Sequence, residues 1–226
     1  MFGRFGRLPS VDPRDLAHPM RAAVPSRVPL PDFKYWATGS VLDQGKTGTC
    51  VGHGWAGWLM ASPTRTRNGP PPFTIYRECV AVDEWSQNDA EAGGPDSGLQ
   101  FGTSVRAGAK VLEARGHIDE YVWGFDVDTV KRYVLLRGPV VFGADWYTGF
   151  FTPDSKGFIR ATGIVEGGHA YLCSGYSKNL KAFRCLNSWG RSWGQQKGKF
   201  WLPEEVLAQL FTDGGEAASA IEKKIT

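Results

Sequence analysis

Cys50 and the residues around it form the part of the sequence best suited to nucleophilic chemistry. In residues 41–56, Cys50 follows a glycine-containing turn and precedes a run that predicts a helix. A thiol in the first turn of a helix lies near unpaired N–H groups and the positive end of the helix dipole, which favour its thiolate. We expect the Gln44 side chain and the Cys50 N–H to donate two hydrogen bonds to an oxyanion. We expect nearby His53 to be structural, so the base must come from elsewhere.

A base and a residue to orient it follow more than a hundred positions later. His169 begins an apolar strand within residues 166–176, and Asn187 ends another within residues 182–194. Counting antiparallel pairs outward from the turn at 177–181 makes His169 and Asn187 neighbours. An imidazole beside a thiol favours a thiolate and imidazolium pair, ready to attack and to pass a proton to a leaving group.

In this order, the motifs QGKTGTC, GGHA and NSWGRSWG resemble those of the papain-like cysteine peptidases (clan CA, family C1), over roughly residues 31–210. The resemblance implies Cys50 as nucleophile, His169 as general acid and base, Asn187 as the residue that holds the imidazole, and Gln44 as oxyanion donor.

The sequence departs from that family around the nucleophile. Where relatives carry Cys-Gly-Ser-Cys-Trp, residues 47–51 read Thr-Gly-Thr-Cys-Val. The lost first cysteine removes a disulfide but no catalytic group, and the lost tryptophan changes local packing. Residues 1–31 are too short for the folded inhibitory pro-region of secreted relatives, so we expect a prokaryotic or phage-type member without one.

Helices are predicted first and strands second. The predicted helices are 51–61, 73–83, 105–115 and 126–138, and the predicted strands are 140–144, 157–161, 169–176, 182–189 and 198–203. This order predicts an α+β protein, and the resemblance implies the papain-like two-lobe fold: a helical lobe over about 40–125, an antiparallel barrel-like lobe over about 126–215, and the cleft between them. Residues 203–226 predict a last short helix and a soluble tail.

Substrate-binding residues are expected beside these groups. Relatives pair the substrate backbone with a glycine just before a helix, which favours Gly102 over Gly94, with Phe101 beside it as a cleft wall. Trp189 is expected to shield the bond between imidazole and amide from water. The substrate-binding candidates are Gly102, Phe101, Gly168 and Trp189. Candidate walls of a side-chain pocket are Gly143, Asp145 and Glu166. The carboxylates of Asp145 and Glu166 either select a basic substrate side chain or are simply solvated.

The hairpin count also places Cys173 roughly opposite Cys185. We expect two buried thiols and no disulfide, because four cysteines in 226 residues are too few for a disulfide scaffold and fit a reducing compartment.

Composition excludes several classes of partner. A net charge of +3 with interspersed acidic residues predicts binding to neither nucleic acid nor an anionic membrane. No apolar run is long enough to span a bilayer, and the N-terminus lacks the pattern of a secretory signal, so a cytoplasmic or particle-associated protein is expected. The four histidines are scattered, and neither a metal site nor a cofactor is predicted.

Residues 1–31, rich in proline, predict an extended arm before a peptidase domain at 32–226. Phe2, Phe5 and Leu8 are candidates to dock this arm onto the body or onto a partner; the alternative is a partly ordered tail.

Two functions remain open from the sequence. The first is a peptidase that hydrolyses a peptide or protein substrate, cell-wall peptides included, through a thioester on Cys50. The second is a catalytically silent papain-like binding module of a larger assembly such as a phage particle.

Overall fold

The computed structural model describes residues 5–10, 12–25, 27–84, 86 and 102–222. In this part of the chain the α-helices are α1 Cys50–Met60, α2 Pro72–Val82, α3 Val105–Ala114, α4 Val127–Leu136 and α5 Glu204–Thr212. The strands are β1 Phe33–Tyr35, β2 Ile118–Gly124, β3 Val140–Tyr147, β4 Val165–Ser177, β5 Ala182–Leu186, β6 Lys199–Pro203 and β7 Glu216–Glu222. Short 3-10 helices cover Pro13–Ala17, Met20–Ala23 and Thr148–Phe151.

Polar caps and a glycine set the helix ends that the sequence predicted. The Ser104 hydroxyl accepts a hydrogen bond from the Ala107 N–H at 3.1 Å at the start of α3. Asp126 caps α4 in the same way, accepting from the Thr129 N–H at 2.8 Å. Gly116 follows α3 with a φ of +70°, a conformation that glycine adopts without strain.

The strands form one antiparallel sheet in the order β2-β7-β3-β4-β5-β6, with β1 paired to β4. The predicted α+β class is confirmed. The predicted strand over residues 157–161 is wrong, since this segment contributes only a single bridge, from Phe158 to Trp201.

The end of the chain differs from the predicted soluble tail. After α5, β7 enters the interior of the sheet and pairs with β2 on one side and β3 on the other. Its side chains Ala217, Ala218 and Ala220 are buried. Alanine has a weak preference for strands, so the sequence carries little local signal for this one. Its position comes from the two flanking strands.

Alternate residues of the central strands face two separate cores. On β3, Phe142 and Trp146 lie in one core, whereas Val141 faces the other, which contains α1, α2 and α3. On β4, Tyr171 lies in the first core and Ala170 in the second. Because side chains alternate across a strand, the residue after His169 faces the helix that begins at Cys50.

The hairpin of β4 and β5 has the predicted register at Cys173 and Cys185, but not over its whole length. Cys173 pairs directly with Cys185 as predicted, and both carry free thiols. The register then shifts between Cys173 and Gly175, so the pairing predicted from the turn does not continue through the whole hairpin. A bulge at this point inserts one extra residue into β4.

We expect mass spectrometry of the unreduced, alkylated protein to find all four cysteines as free thiols. Cys173 and Cys185 are fully buried, so burial protects both sulfurs from oxidants. A peptide pair linked through residues 173 and 185 would contradict this expectation; denaturing the protein before alkylation controls for thiols that the reagent cannot reach.

Every helix in the described ranges is too short or too polar to cross a membrane.

Candidate active site

Cys50 lies at the first position of α1, as the sequence predicted. The preceding loop turns at Gly45, whose φ is +59°, and Asp43 accepts a hydrogen bond from its N–H at 2.9 Å. The Cys50 side chain is fully buried, and the backbone N–H groups of Ala170, Gly6 and Val51 act to lower its pKa against the effect of burial. The thiol therefore lies where backbone donors converge.

His169 and Asn187 are joined by a short hydrogen bond. His169 Nε2 donates to Asn187 Oδ1 at 2.8 Å, and the same oxygen accepts from the Ser188 N–H at 2.7 Å. Because Oδ1 can only accept, the proton of a neutral imidazole lies on Nε2. His169 Nδ1 then carries a lone pair, and in the described structure it is buried without a hydrogen-bond partner.

The nucleophile candidate lies beside the strand that carries this imidazole. One of the N–H groups that lower the Cys50 pKa belongs to Ala170, the residue directly after His169. No hydrogen bond joins the Cys50 sulfur to His169 within the described part of the chain. An unpartnered Nδ1 is a group able to take up the proton of a thiol that comes within hydrogen-bond reach.

Aromatic rings enclose the imidazole. The Trp189 ring centroid lies 4.8 Å from that of His169, and the Trp146 ring meets the imidazole edge-on at 4.9 Å. Trp193 packs against Trp189 at 5.6 Å. Trp189 is only 5% exposed, so a ring that is itself buried lies against the imidazole, and the shielding of its bond to Asn187 stays a prediction.

Gln44 ties the loop before α1 to the strand that carries Asn187. Its Nε2 donates to the Thr47 carbonyl at 2.6 Å, and its Oε1 accepts from the Ser188 hydroxyl at 2.6 Å. The Gln44 backbone N–H also donates to the Ser188 carbonyl at 2.8 Å. The carboxamide is thereby held in one orientation beside the residue next to Asn187.

The N-terminal arm passes through this site. The N–H groups of Gly6 and Arg7 both donate to the Gly168 carbonyl, at 3.1 and 3.0 Å, on one side of the arm. On the other side, the Thr103 N–H donates to the Gly6 carbonyl at 2.9 Å, and the Leu8 N–H donates to the Thr103 carbonyl at 3.0 Å. The chain here is hydrogen-bonded on both edges, in the manner of an added strand. It is neither a loosely attached tail nor extended throughout, since 3-10 helices follow it.

Gly6 allows the arm to approach the nucleophile loop closely. A Cβ atom added at Gly6 would lie 1.7 Å from the Gly48 carbonyl oxygen, so no other residue fits there with the arm in place. Phe5 contacts the opposite side of the site, with its ring centroid 6.1 Å from that of His169 and 6.2 Å from that of Trp189. The arm therefore covers both the thiol and the imidazole.

The substrate-binding candidates meet the arm to different extents. Gly168 accepts two of its N–H groups, and Trp189 contacts Phe5. A Cβ on Gly102 would lie 2.7 Å from the Gly6 carbonyl oxygen, but the residue that exchanges hydrogen bonds with the arm is the next one, Thr103. Phe101 lies outside the described residues.

His53 has the structural surroundings that the sequence suggested. Its Nδ1 lies 2.9 Å from the Thr49 carbonyl oxygen, one turn back on the helix, and its ring meets Phe73 edge-on. Burial lowers the pKa of His53. It anchors the start of α1.

Two residues at the site were missed from the sequence. Arg7 and Glu216 form a buried ion pair, with Arg7 Nε 3.0 Å from Glu216 Oε1. Glu216 opens β7, whose weak pattern predicted a tail, and Arg7 lies 209 positions away. No local signal connects the two. Of the three candidate pocket walls, Gly143 and Asp145 lie near this pair, whereas Glu166 accepts a hydrogen bond from Thr148 elsewhere.

With the arm in place, burial favours the neutral forms of both reacting groups. Burial raises the pKa of Cys50 to about 11, against the opposing effect of the backbone N–H groups. Burial lowers the pKa of His169 to about 4, although its bond to Asn187 acts in the other direction. With the arm in place, both shifts therefore favour a thiol and a neutral imidazole over the ion pair expected from the sequence.

This protonation state predicts a particular pH profile. The rate of Cys50 alkylation by iodoacetamide should rise about tenfold per pH unit from pH 6 to pH 10, because only the thiolate reacts and its fraction grows until the pH reaches the pKa. Peptide mass spectrometry at the peptide containing Cys50 measures that rate. A rate that is already constant between pH 5 and 8 would mean that the ion pair exists under the arm.

Comparisons with known proteins agree with this geometry. No protein-family model matches the chain. An uncharacterized peptidase C1-like protein of Acanthamoeba polyphaga mimivirus is 26% identical over 224 residues, which cover 75% of this chain and 66% of that protein. A cathepsin B-like cysteine proteinase of Schistosoma japonicum is 33% identical over 73 residues, 31% of this chain and 21% of that protein. The chain thus spans less than two thirds of each of these curated relatives.

Solved structures share the fold. Xylellain, a cysteine protease from Xylella fastidiosa, matches with a TM-score of 0.71 at 19% identity, covering 100% of this chain and 98% of that chain. A digestive procathepsin L proteinase from the larval midgut of Tenebrio molitor matches with a TM-score of 0.65 at 17% identity, covering 95% and 74% of the two chains. In its fold, in the order of its three motifs and in these relatives, the chain is similar to the papain-like cysteine peptidases.

Proposed function

We propose that this protein is a cysteine peptidase that hydrolyses peptide bonds through a thioester on Cys50. The observation that carries the proposal is the pair of His169 and Asn187, 2.8 Å apart, directly before Ala170, whose N–H acts on a thiol at the start of a helix. The names of the relatives support it, since a cathepsin B-like cysteine proteinase and xylellain, a cysteine protease, are among them.

The first half of the reaction forms the thioester. Once the arm has left, His169 Nδ1 takes the proton of Cys50, and the sulfur adds to the carbonyl carbon of the substrate. The tetrahedral intermediate then expels the amine, as the bond from carbon to nitrogen breaks. His169 gives its proton to that nitrogen, and the acyl group stays on the sulfur.

The second half releases the acid. Water attacks the thioester carbon while His169 takes one of its protons, and the bond from carbon to sulfur breaks. His169 then gives this proton to the Cys50 sulfur, so that both residues regain their initial protonation states. Asn187 binds the opposite nitrogen, Nε2, and so leaves Nδ1 available to exchange the proton throughout.

Gln44 stabilises the oxyanion in this proposal. We expect Gln44→Ala to lower kcat for a peptide substrate by about 100-fold, the loss typical of one oxyanion donor. The measurement is steady-state hydrolysis of a fluorogenic peptide.

The matched control is Ser188→Ala, which removes the hydroxyl bound to Gln44 Oε1 but leaves the carboxamide in place. We expect it to lower kcat much less than Gln44→Ala. Equal losses in the two variants would assign Gln44 a purely structural role.

A peptide carrying a thiol-directed electrophile, such as a vinyl sulfone or an epoxide, tests the proposal directly. In the variant Gly6→Ala, which the Gly48 carbonyl prevents from seating the arm, we expect stoichiometric labelling at Cys50 and cleavage of peptide substrates. A folded variant that neither reacts with the electrophile nor cleaves any peptide would support the alternative of a silent binding module.

A further inference from the structure

One end of the sheet presents a surface of aromatic rings and cations to solvent. Tyr35, Gly175, Arg184 and Trp201 are paired in register across β1, β4, β5 and β6. Residues that are directly paired across strands lie on the same face of a sheet. We call this surface the aromatic face, and it consists of Phe33, Tyr35, Phe158, Arg184, Lys199 and Trp201.

The rings of the aromatic face form a continuous row. Phe33 stacks on Tyr35 at 5.4 Å, and Tyr35 meets Trp201 edge-on at 6.0 Å. Phe158 stacks on the other side of Trp201 at 6.2 Å. Phe33 is 61% exposed and Tyr35 is 38% exposed. A contiguous patch of exposed rings marks a surface that binds another molecule.

A glycine lets one of these rings lie against the sheet. A Cβ atom added at Gly175 would lie 2.7 Å from Cδ1 of Tyr35, so the ring occupies the space above Gly175. The Arg184 guanidinium lies 5.4 Å from the centroid of the same ring. The tyrosine therefore bridges β1 and β5 and places a cation beside the row.

The cations of the aromatic face lack a carboxylate partner in the described part of the chain. The Nε atom of Arg184 is buried without a hydrogen-bond partner there. Neither Arg184, Lys199 nor Arg191 takes part in an ion pair within the described ranges. Burial lowers the pKa of Lys199, and the charges of Arg184 and Arg191 act in the same direction. These cations repel one another, so a bound anion would stabilise them.

Charge is unevenly distributed along the sequence. Residues 167–203 contain no acidic residue and six basic ones: Lys178, Lys181, Arg184, Arg191, Lys197 and Lys199. The net charge of +3 averages this stretch with the rest of the chain, and the expectation of no nucleic-acid partner was drawn from that average. A local excess of one sign attracts a polyanion and opposes face-to-face pairing with a second copy.

We propose that the aromatic face binds single-stranded nucleic acid. Bases stack on the exposed rings of Phe33, Tyr35 and Trp201, and backbone phosphates pair with Arg184 and Lys199. The rings favour this partner over an acidic peptide, which would use only the charges, and over duplex, whose bases are already stacked on one another. The inference does not depend on the proposed peptidase function.

Fluorescence anisotropy with a labelled oligouridylate of about twelve nucleotides tests the proposal on the full chain. We expect a micromolar Kd at about 50 mM NaCl, and a plot of log affinity against log salt with a slope of about −2, the value for about three phosphate contacts on a single strand. No binding up to about 100 μM protein at this salt concentration would overturn the proposal.

Replacement of single rings separates stacking from charge attraction. We expect Tyr35→Ala and Trp201→Ala each to weaken binding by about tenfold, as for the loss of one stacked base. Phe33→Ala tests the same contact at the most exposed ring of the row, where truncation disturbs packing least. Phe125→Ala is the matched control, since Phe125 is 49% exposed and lies outside the row, and we expect a change within about twofold. Unchanged affinity in all three row variants would overturn the proposal.

Replacement of single cations tests the phosphate contacts. We expect Arg184→Gln to weaken binding and to reduce the salt slope by about 0.7, the share of one phosphate contact. Arg67→Gln is the matched control, because Arg67 is exposed in the turn after α1, and it should leave the slope unchanged. An equal change in slope in both variants would contradict a localised site.

A comparison of polyanions identifies the kind of partner. Polyglutamate of similar charge should bind at least about tenfold more weakly than the oligouridylate, because it has no bases to stack. Photocrosslinking with iodouridine in the oligonucleotide, followed by peptide mass spectrometry, should place the crosslinks within residues 33–35 or 199–203. Polyglutamate that binds as tightly as the oligonucleotide, or crosslinks only at other peptides, would overturn the proposal.

Discussion

Gly6→Ala raises the rate of Cys50 modification at pH 7 by about 100-fold or more. The added methyl group would lie 1.7 Å from the Gly48 carbonyl oxygen, so the arm cannot seat. Water then reaches a thiol whose pKa burial had raised to about 11 and an imidazole whose pKa burial had lowered to about 4. The pKa of Cys50 then falls and that of His169 rises, which favours the ion pair and increases the thiolate fraction at pH 7 by orders of magnitude. The gain in labelling rate is smaller than the gain in thiolate, because a thiolate of lower pKa is a weaker nucleophile. Time-resolved mass spectrometry of iodoacetamide labelling measures this change.

Pro9→Ala is the matched control for the arm. Pro9 lies in the same segment but is exposed, so its replacement should leave the labelling rate unchanged within about twofold. Hydrogen exchange at the amides of Arg7 and Leu8, which donate to Gly168 and Thr103, reports whether the arm has left. Rapid exchange at these amides with no gain in labelling would contradict an occluding role. Arg7→Ala gives a second route to displacement, through the ion pair with Glu216.

Cys50→Ala, introduced into the Gly6→Ala protein, lowers kcat/KM for peptide hydrolysis by about 10⁴-fold or more. The proposed mechanism has no other nucleophile, since the acyl group must rest on the sulfur. His169→Ala should cost a similar factor, and the two losses should not add, because the thiol and the imidazole act as one unit. Steady-state kinetics of the single and double variants give these ratios.

Cys79→Ala is the control that shows whether the loss of a buried cysteine outside the proposed mechanism lowers activity. Cys79 is a buried thiol on α2, in the core that contains α1, and the proposed mechanism gives it no part. We expect it to lower the free energy of unfolding while changing kcat/KM by no more than about twofold. Activity that survives Cys50→Ala but requires Cys79 would refute the assignment of the nucleophile.

The position of the nucleophile was predictable because its signals are local. A glycine turn followed by a helical run places Cys50 at a helix start, and α1 begins at that residue. The pairing of Cys173 with Cys185 also follows from counting outward from a turn, since strand register is set by the turn and by the alternation of side chains. The bulge after Cys173 was not predictable from that count, because an extra residue leaves no mark in the alternation over so short a strand.

The contact between Arg7 and Glu216 beside the site was not predictable from local signals. Arg7 and Glu216 are separated by almost the whole chain, and Glu216 belongs to a strand of small residues whose pattern resembles a tail. Its place inside the sheet depends on the edges that β2 and β3 present to it. Pairing between distant segments is a property of the assembled sheet.

Read alone, the sequence determined the class of fold and named the candidates for the chemistry, because motif spacing and the periodicity of apolar residues are properties of neighbouring positions. Only the tertiary structure decided that the arm lies over Cys50 and His169, and that Arg7 meets Glu216. Burial and charge pairing depend on which distant segment fills a given space, and these two effects set the protonation state of the site.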